Sequence, residues 1–213
     1  MVFDVGGVLV DWNPRYLYRR IFADEGEMER FLGEICTLKW HEQHDRGVPF
    51  ARAAQALSAI HPRWRSEIAA WGARFSEMWS GAIDESVTVL EALHAHHVPV
   101  FAATNWPAQA WPLACERFPF LKSFTGALVS GEIGITKPDP RFFSLLIERF
   151  DLVPGATLFV DDNDANVAAA SRAGLVTHRF AGAPALTTVL VRSGLLPESS
   201  APSRPEALPL GEP

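Results

Sequence analysis

Three acidic side chains at the ends of two apolar runs are the residues best placed to do chemistry in this chain. The first run, Met1-Val2-Phe3, stops at Asp4 and is followed by Val5-Gly6-Gly7. The second, Thr157-Leu158-Phe159-Val160, stops at Asp161-Asp162. In an open α/β sheet the carboxyl ends of the strands line up along one edge, and ligands bind there. Three carboxylates on such an edge repel one another unless a cation lies among them. The pattern points to a hard, oxygen-ligated metal, Mg2+ first, beside a carboxylate able to attack an electrophile.

Two more segments suit the same edge. The run Pro99-Val100-Phe101-Ala102-Ala103 ends in Thr104-Asn105, whose hydroxyl and backbone N–H can hold anionic oxygens. In Gly134-Ile135-Thr136-Lys137-Pro138-Asp139-Pro140 a lysine sits in a proline-stiffened loop ahead of a helix-like segment. An ammonium there would stabilise negative charge that develops in a transition state. Gly7 starts the turn after Asp4, where glycine takes positive φ without penalty and leaves backbone amides free to face an anion.

The elements that must carry these residues alternate. Strands are predicted at 98–103, 124–128, 157–161 and 175–180, and helices at 84–96, 107–117, 139–151, 163–173 and 184–194. Alternation of this kind makes a parallel sheet covered on both faces. Between the first strand and Asp84 the chain reads as helical throughout. Trp64, Ile68, Trp71, Phe75 and Met78 recur at steps of four and three, one face of an amphipathic helix. Tyr16, Leu17, Ile21 and Phe22 mark an earlier helix with Pro14 near its first turn, and Phe31, Leu32 and Ile35 another. The expected division is an α/β core of residues 1–12 and 84–196, a helical insertion at 13–83, and a Pro-, Ser- and Glu-rich tail at 197–213 without packed structure.

Composition narrows the partners. Lysine plus arginine is 19 and aspartate plus glutamate is 25, so the formal charge is −6. That balance gives no electrostatic reason to expect nucleic acid or an anionic membrane. The two cysteines, Cys36 and Cys115, read as reduced thiols of a cytosolic protein. No apolar run is long enough to span a bilayer, and a strand beginning almost at Met1 leaves no room for a leader. The expectation is a soluble cytoplasmic protein.

Asp4, Thr104, Lys137 and Asp161-Asp162, in that order, resemble the motifs of the haloacid dehalogenase (HAD) superfamily of hydrolases over roughly residues 1–195. The resemblance implies a Rossmann-like core with an inserted α-helical cap. It also implies a Mg2+-dependent phosphatase that hydrolyses a small phosphorylated metabolite through an aspartyl-phosphate. Asp4 would be the nucleophile and Lys137 the charge stabiliser. Thr104, Asn105 and Gly7 would hold the phosphate. Asp4, the Gly6 carbonyl and Asp162 would hold the metal, while Asp161 would hold a metal-bound water or orient Lys137.

The chain departs from the family at Gly6, where an aspartate usually serves as general acid and base. That contribution, roughly 10²–10⁴-fold, must be dispensed with or supplied from elsewhere. A sugar-phosphate phosphatase branch carries a similar D-x-G-x-V-x-V-D opening, read here from Asp4 to Asp11. In the insertion, His44 or Arg46 is expected to donate a proton or grip an anion. His41 and His44 share a helical face, but two ligands alone do not make a zinc site. Two alternatives stand beside the phosphatase. One is a 2-haloacid dehalogenase, in which Asp4 attacks carbon without a metal. The other is a non-catalytic binding module, which the missing acid at Gly6 would explain.

Overall fold

A computed structural model describes residues 1–200. Five short strands make a parallel sheet: β1 Val2–Phe3, β4 Phe101–Thr104, β5 Gly126–Val129, β6 Leu158–Asp161 and β7 Val176–Arg179. Their order is β5-β4-β1-β6-β7. The chain winds outward from β1 to β4 and β5, then returns to the other side of β1 to lay down β6 and β7. This reversal at β1 is the topological switch point of a Rossmann-like α/β sheet.

Helices cover both faces. On one face, α6 (Asp84–Ala95) and α11 (Ala183–Arg192) pack Leu90, Leu93, Leu186 and Leu190 on Phe3 and Val160. On the other, α9 (Pro140–Arg149) and α10 (Asp164–Arg172) pack Phe142, Phe143, Leu146 and Ala170 on Val2, Phe159 and Leu128. Alternate residues of one strand thus serve opposite layers, as the pleat requires. Two short helices, α7 (Trp111–Arg117) and α8 (Ser130–Ile133), follow β4 and β5.

Five helices lie between Trp12 and Trp79: α1 Arg15–Tyr18, α2 Glu25–Glu34, α3 Leu38–Asp45, α4 Phe50–Ile60 and α5 Arg65–Ala73. Two of them, α2 and α3, are capped by a side chain. The Asp24 side chain accepts from the Glu27 N–H and the Thr37 side chain from the Trp40 N–H, satisfying donors the first turn leaves free. A buried cluster of Tyr18, Met28, Phe31, Ile68, Trp71 and Met78 continues into Val5, Ala102, Trp106 and Val129 of the core.

Three features differ from the sequence reading. The 13–83 stretch is not wholly helical, because β3 (Trp79–Ala82) pairs antiparallel with β2 (Val10–Trp12). Strands of three and four residues are too short to impose a period on the sequence. The expected helix through Trp64–Met78 is broken into a 3-10 turn at Pro62–Trp64, the helix α5, and a second 3-10 turn at Phe75–Met78. Four of the five apolar side chains that suggested it are nevertheless buried. Of the expected tail, residues 197–200 include a 3-10 turn at Glu198–Ser200, and residues 201–213 lie outside the described residues.

Helices α4 and α5 touch at Gly72, where a Cβ would lie 2.4 Å from Phe50 Cβ. Gly72→Ala must push the two helices apart, an overpacking that costs about 1–3 kcal/mol. The urea midpoint of the variant is expected to fall, and an unchanged midpoint would show that the helix pair yields freely.

Candidate active site

The strands β4, β1 and β6 are neighbours and run parallel, so their carboxyl ends lie side by side. Thr104 ends β4, Asp4 immediately follows β1, and Asp161 ends β6. Lys137 arrives from the loop between α8 and α9, and its ammonium bridges two of these ends. Its Nζ lies 2.9 Å from Asp4 Oδ1 and 2.7 Å from Asp161 Oδ2. Lys137 is 3 % exposed and Asp161 is fully buried.

Second contacts fix this triad. Asn166 Nδ2 donates to both Asp161 oxygens at 3.1 Å, and the Asn163 N–H donates to Asp161 Oδ1 at 2.9 Å. Both Asp161 oxygens are therefore engaged in holding Lys137 and the start of α10. The Asn105 side chain clamps the backbone of Lys137. It accepts from the Lys137 N–H at 2.8 Å and donates to the Lys137 carbonyl at 2.9 Å. Its two polar atoms are spent on that clamp, which leaves only its backbone to face a ligand. Thr104 is fully buried, and its Oγ1 has no hydrogen-bond partner.

Asp4, Asp161 and Asp162 each offer an oxygen within 4.8 Å of the others. With all groups ionised, three carboxylates and the Lys137 ammonium carry a formal charge of 1 − 3 = −2. An all-oxygen donor set with two excess negative charges fits a hard divalent cation. The imbalance shows in the ionisation of the groups. Burial, opposed by Lys137 and reinforced by Asp161, pushes the Asp4 carboxyl up to about 7. Burial and then Asp161 also raise Asp162. Burial pulls Lys137 down, but its pairing with Asp4 and Asp161 outweighs this and holds it above its ordinary range.

A cavity of about 330 Å³ opens over the triad, with Asp4, Gly6, Gly7, Lys137 and Asp162 on its floor. Its walls are aromatic: Trp12, Phe75 and Trp106. Gly7 has φ +77°, and a Cβ there would lie 2.5 Å from Asp162 Oδ2, so the turn presses directly on the carboxylate. A larger groove of about 830 Å³ lies between α4 and α5, but its only charged lining residue is Arg65. Size alone does not make it the reactive site.

The helix α3 meets this cavity with residues other than those singled out. His44 is buried, and its Nδ1 lies 3.0 Å from the Val48 carbonyl. The Arg46 guanidinium is half exposed and pairs with Glu42 at 3.2 Å. Neither lines the cavity; His41 and Asp45 do. Both lie one helical turn apart, and that spacing was the available signal. Which face of α3 looks at the core depends on how the helix docks, which the sequence pattern does not specify. Phe75, a third cavity residue, belongs in sequence to the apolar face of the Trp64–Met78 repeat, which carries no sign of its place in the cavity.

The chain belongs to the haloacid dehalogenase-like hydrolases, whose family model matches residues 1–174. The sesquiterpene phosphatase astK of Aspergillus oryzae is 31% identical, over 82% of this chain and 86% of its own. A phosphorylated carbohydrates phosphatase of Thermotoga maritima is 26% identical, over 82% and 81%. The fold is shared with a HAD family enzyme of Bacteroides thetaiotaomicron in complex with magnesium and inorganic phosphate (TM-score 0.64, 22% identity, 83% of this chain and 91% of that one). It is also shared with the L-2-haloacid dehalogenase of Xanthobacter autotrophicus with chloropropionic acid covalently bound (TM-score 0.61, 17% identity, 93% and 84%). Fold alone therefore does not choose between displacement at phosphorus and at carbon.

Two substitutions test the geometry. Lys137→Met leaves Asp4 and Asp161 facing each other in a buried site, and removal of one partner from such a pair costs about 3–5 kcal/mol. The loss is expected in urea denaturation at neutral pH; no loss would mean that the carboxylates simply take up protons. Gly7→Ala forces a side chain onto Asp162 in a backbone conformation only glycine adopts freely. It is expected to weaken divalent-cation binding in a titration followed by tryptophan fluorescence, and unaltered binding would remove Asp162 from the cation site.

Proposed function

We propose that the protein is a Mg2+-dependent phosphatase of a small phosphorylated metabolite, with Asp4 as nucleophile. The observation that carries this reading is the cluster of Asp4, Asp161 and Asp162 around a single, fully paired ammonium. Lys137 is the only lysine or arginine lining the cavity among the described residues. An anionic substrate therefore meets a floor of net negative charge unless a divalent cation is present. A haloacid, which a dehalogenase binds without metal, would face the same three carboxylates with only Lys137 to offset them. Both relatives described above carry phosphatase names, which supports the same choice.

Asp4, Asp162 and the Gly6 carbonyl are the proposed metal ligands. When bound, the cation offsets phosphate charge so that a carboxylate can approach phosphorus. An Asp4 oxygen then attacks phosphorus to give an aspartyl-phosphate, which water hydrolyses. Lys137 holds Asp4 in place and stabilises charge on the transferring group. Asp161 acts as a positioning residue for Lys137, as its full hydrogen-bond complement supports. Thr104 Oγ1, buried without a partner, and the backbone N–H groups of Asn105 and Gly7 are proposed to receive phosphate oxygens. The largely helical insertion of residues 13–83 acts as a cap, consistent with its supply of His41, Asp45 and Phe75 to the cavity.

Aromatic walls and a volume of about 330 Å³ suit a compact organic group such as a sugar ring. No helix among the described residues is long and apolar enough to cross a membrane. The two free thiols agree with a reducing, cytoplasmic setting.

Phosphate release from a panel of phosphate esters is expected to require Mg2+ and to stop in EDTA. Asp4→Asn should lower kcat by roughly 10³-fold or more, as removal of a nucleophile does. Metal-independent chloride release from 2-chloropropionate, without phosphate release, would overturn the assignment. Binding of inorganic phosphate without turnover of any ester would favour a binding module.

A further inference from the structure

Breaking a phosphate ester places negative charge on the leaving oxygen, and an acid that protonates it speeds the step by roughly 10²–10⁴-fold. The floor of the cavity has no group free for this. Asp4 is the proposed nucleophile, Asp162 a proposed metal ligand, Lys137 is doubly paired, and both Asp161 oxygens are occupied. Position 6, two residues beyond the nucleophile, is glycine. The roof offers two titratable groups, His41 and Asp45.

His41 is unsuited to the role. Its Nδ1 accepts a hydrogen bond from Trp71 Nε1 at 3.2 Å, so a neutral ring carries its proton on Nε2. It stacks on Trp12 at 5.2 Å, and burial, then His44, push it down to about 3. A neutral imidazole N–H is a poor acid. It points instead at Asp45, with Nε2 3.5 Å from Asp45 Oδ1, too long for a hydrogen bond. Asp45 is 8 % exposed, lines the cavity, and its Oδ1 has no hydrogen-bond partner. A carboxylate left in that state is costly, whereas a protonated carboxyl is tolerated.

We infer that Asp45 is the catalytic acid and base of the reaction, taking over from the insertion the role that Gly6 cannot perform. The inference rests on the phosphatase reading. As an Asp4 oxygen bonds to phosphorus, the bond from phosphorus to the ester oxygen breaks and its electron pair goes to that oxygen. The oxygen takes the proton of the Asp45 carboxyl and leaves as an alcohol. Asp45, now a carboxylate, takes a proton from the water that attacks the aspartyl-phosphate. The phosphorus–Asp4 bond breaks, its electrons return to Asp4, and both carboxyl groups regain their starting states. Ionisation agrees with this: burial, then Glu42, raise Asp45 to about 7, against Arg46 and Lys137, with Asp4 adding to the rise. The other titratable groups around it, His41 and His44 on α3 and Asp162 across the cavity, complete its charged surroundings.

Position 6 supplies a control. A Cβ there would meet nothing closer than Trp106 Cζ3 at 3.8 Å, and Gly6 is not among the positive-φ residues, so a side chain fits. The experiment compares an alkyl phosphate, whose leaving group needs a proton, with p-nitrophenyl phosphate, whose leaving group does not, in Mg2+. Asp45→Asn is expected to lower the single-turnover rate of leaving-group release roughly 10²–10⁴-fold on the alkyl ester and less than about tenfold on the aryl ester, whose later hydrolysis of the aspartyl-phosphate the single turnover does not count. Adding Gly6→Asp to that variant should restore alkyl-ester turnover. The wild-type single-turnover rate of leaving-group release from the alkyl ester should fall as pH rises and Asp45 loses its proton, with no such fall on the aryl ester; this readout needs no variant to fold. Equal losses on both esters, or none, would overturn the role of Asp45 while leaving the phosphatase intact. No Mg2+-dependent release by the wild type from any ester would overturn the phosphatase reading and this inference with it.

Discussion

The whole site depends on one buried ammonium. Taking Lys137 out of water costs several kcal/mol, and the interior can meet that cost only by presenting opposite charge in good geometry. Asp4 and Asp161 do so from adjacent strands, which is possible because β1 and β6 are parallel neighbours that end at the same level. The requirement spreads outward. Asp161 must be held still, and Asn166 and the start of α10 hold it. The loop carrying Lys137 must be anchored, and Asn105 at the end of β4 anchors it. Strand ends, helix start and loop position thus meet in a single electrostatic demand.

The same demand leaves the site unbalanced. One ammonium cannot offset three carboxylates, so the floor carries spare negative charge although the reaction assigned to it handles a phosphate. A divalent cation resolves the conflict, because it is attracted by the carboxylates and in turn attracts the substrate. The rest of a substrate would meet the aromatic walls, whose side chains lie on different elements: Trp12 on β2, Phe75 in the turn after α5, and Trp106 after β4.

How much of this is legible in the sequence depends on distance along the chain. Asp4, Asp161 and Lys137 can be read because each closes or precedes a regular element, and parallel strands bring such ends together whatever the details. The alternation that marks the sheet survives small shifts: β4 was expected at 98–103 and lies at Phe101–Thr104. The double clamp of Asn105 on Lys137 joins residues 32 apart and leaves no local trace. The insertion is harder still. Periodicity shows that α3 has a buried side, but not that His41 and Asp45 face the cavity while His44 turns to the Val48 carbonyl. Rotation of a docked helix is set by the side chains it meets, here Trp12, Trp71 and Phe75, which come from three other segments.

The antiparallel pairing of β2 with β3 has an evolutionary side. Trp12 and Trp79, where the chain leaves the core and returns, are partners in one ladder, and Asp11 ties the base by accepting from the Tyr16 and Ser80 hydroxyls, each at 2.6 Å. The 66 residues between them form a loop whose ends are already closed. Doubling such a loop costs only about 0.6 kcal/mol of closure entropy. Lineages can therefore lengthen, shorten or rebuild the roof over the cavity without disturbing the strands beneath it. A protein organised in this way can diversify what it recognises while the charged floor stays the same.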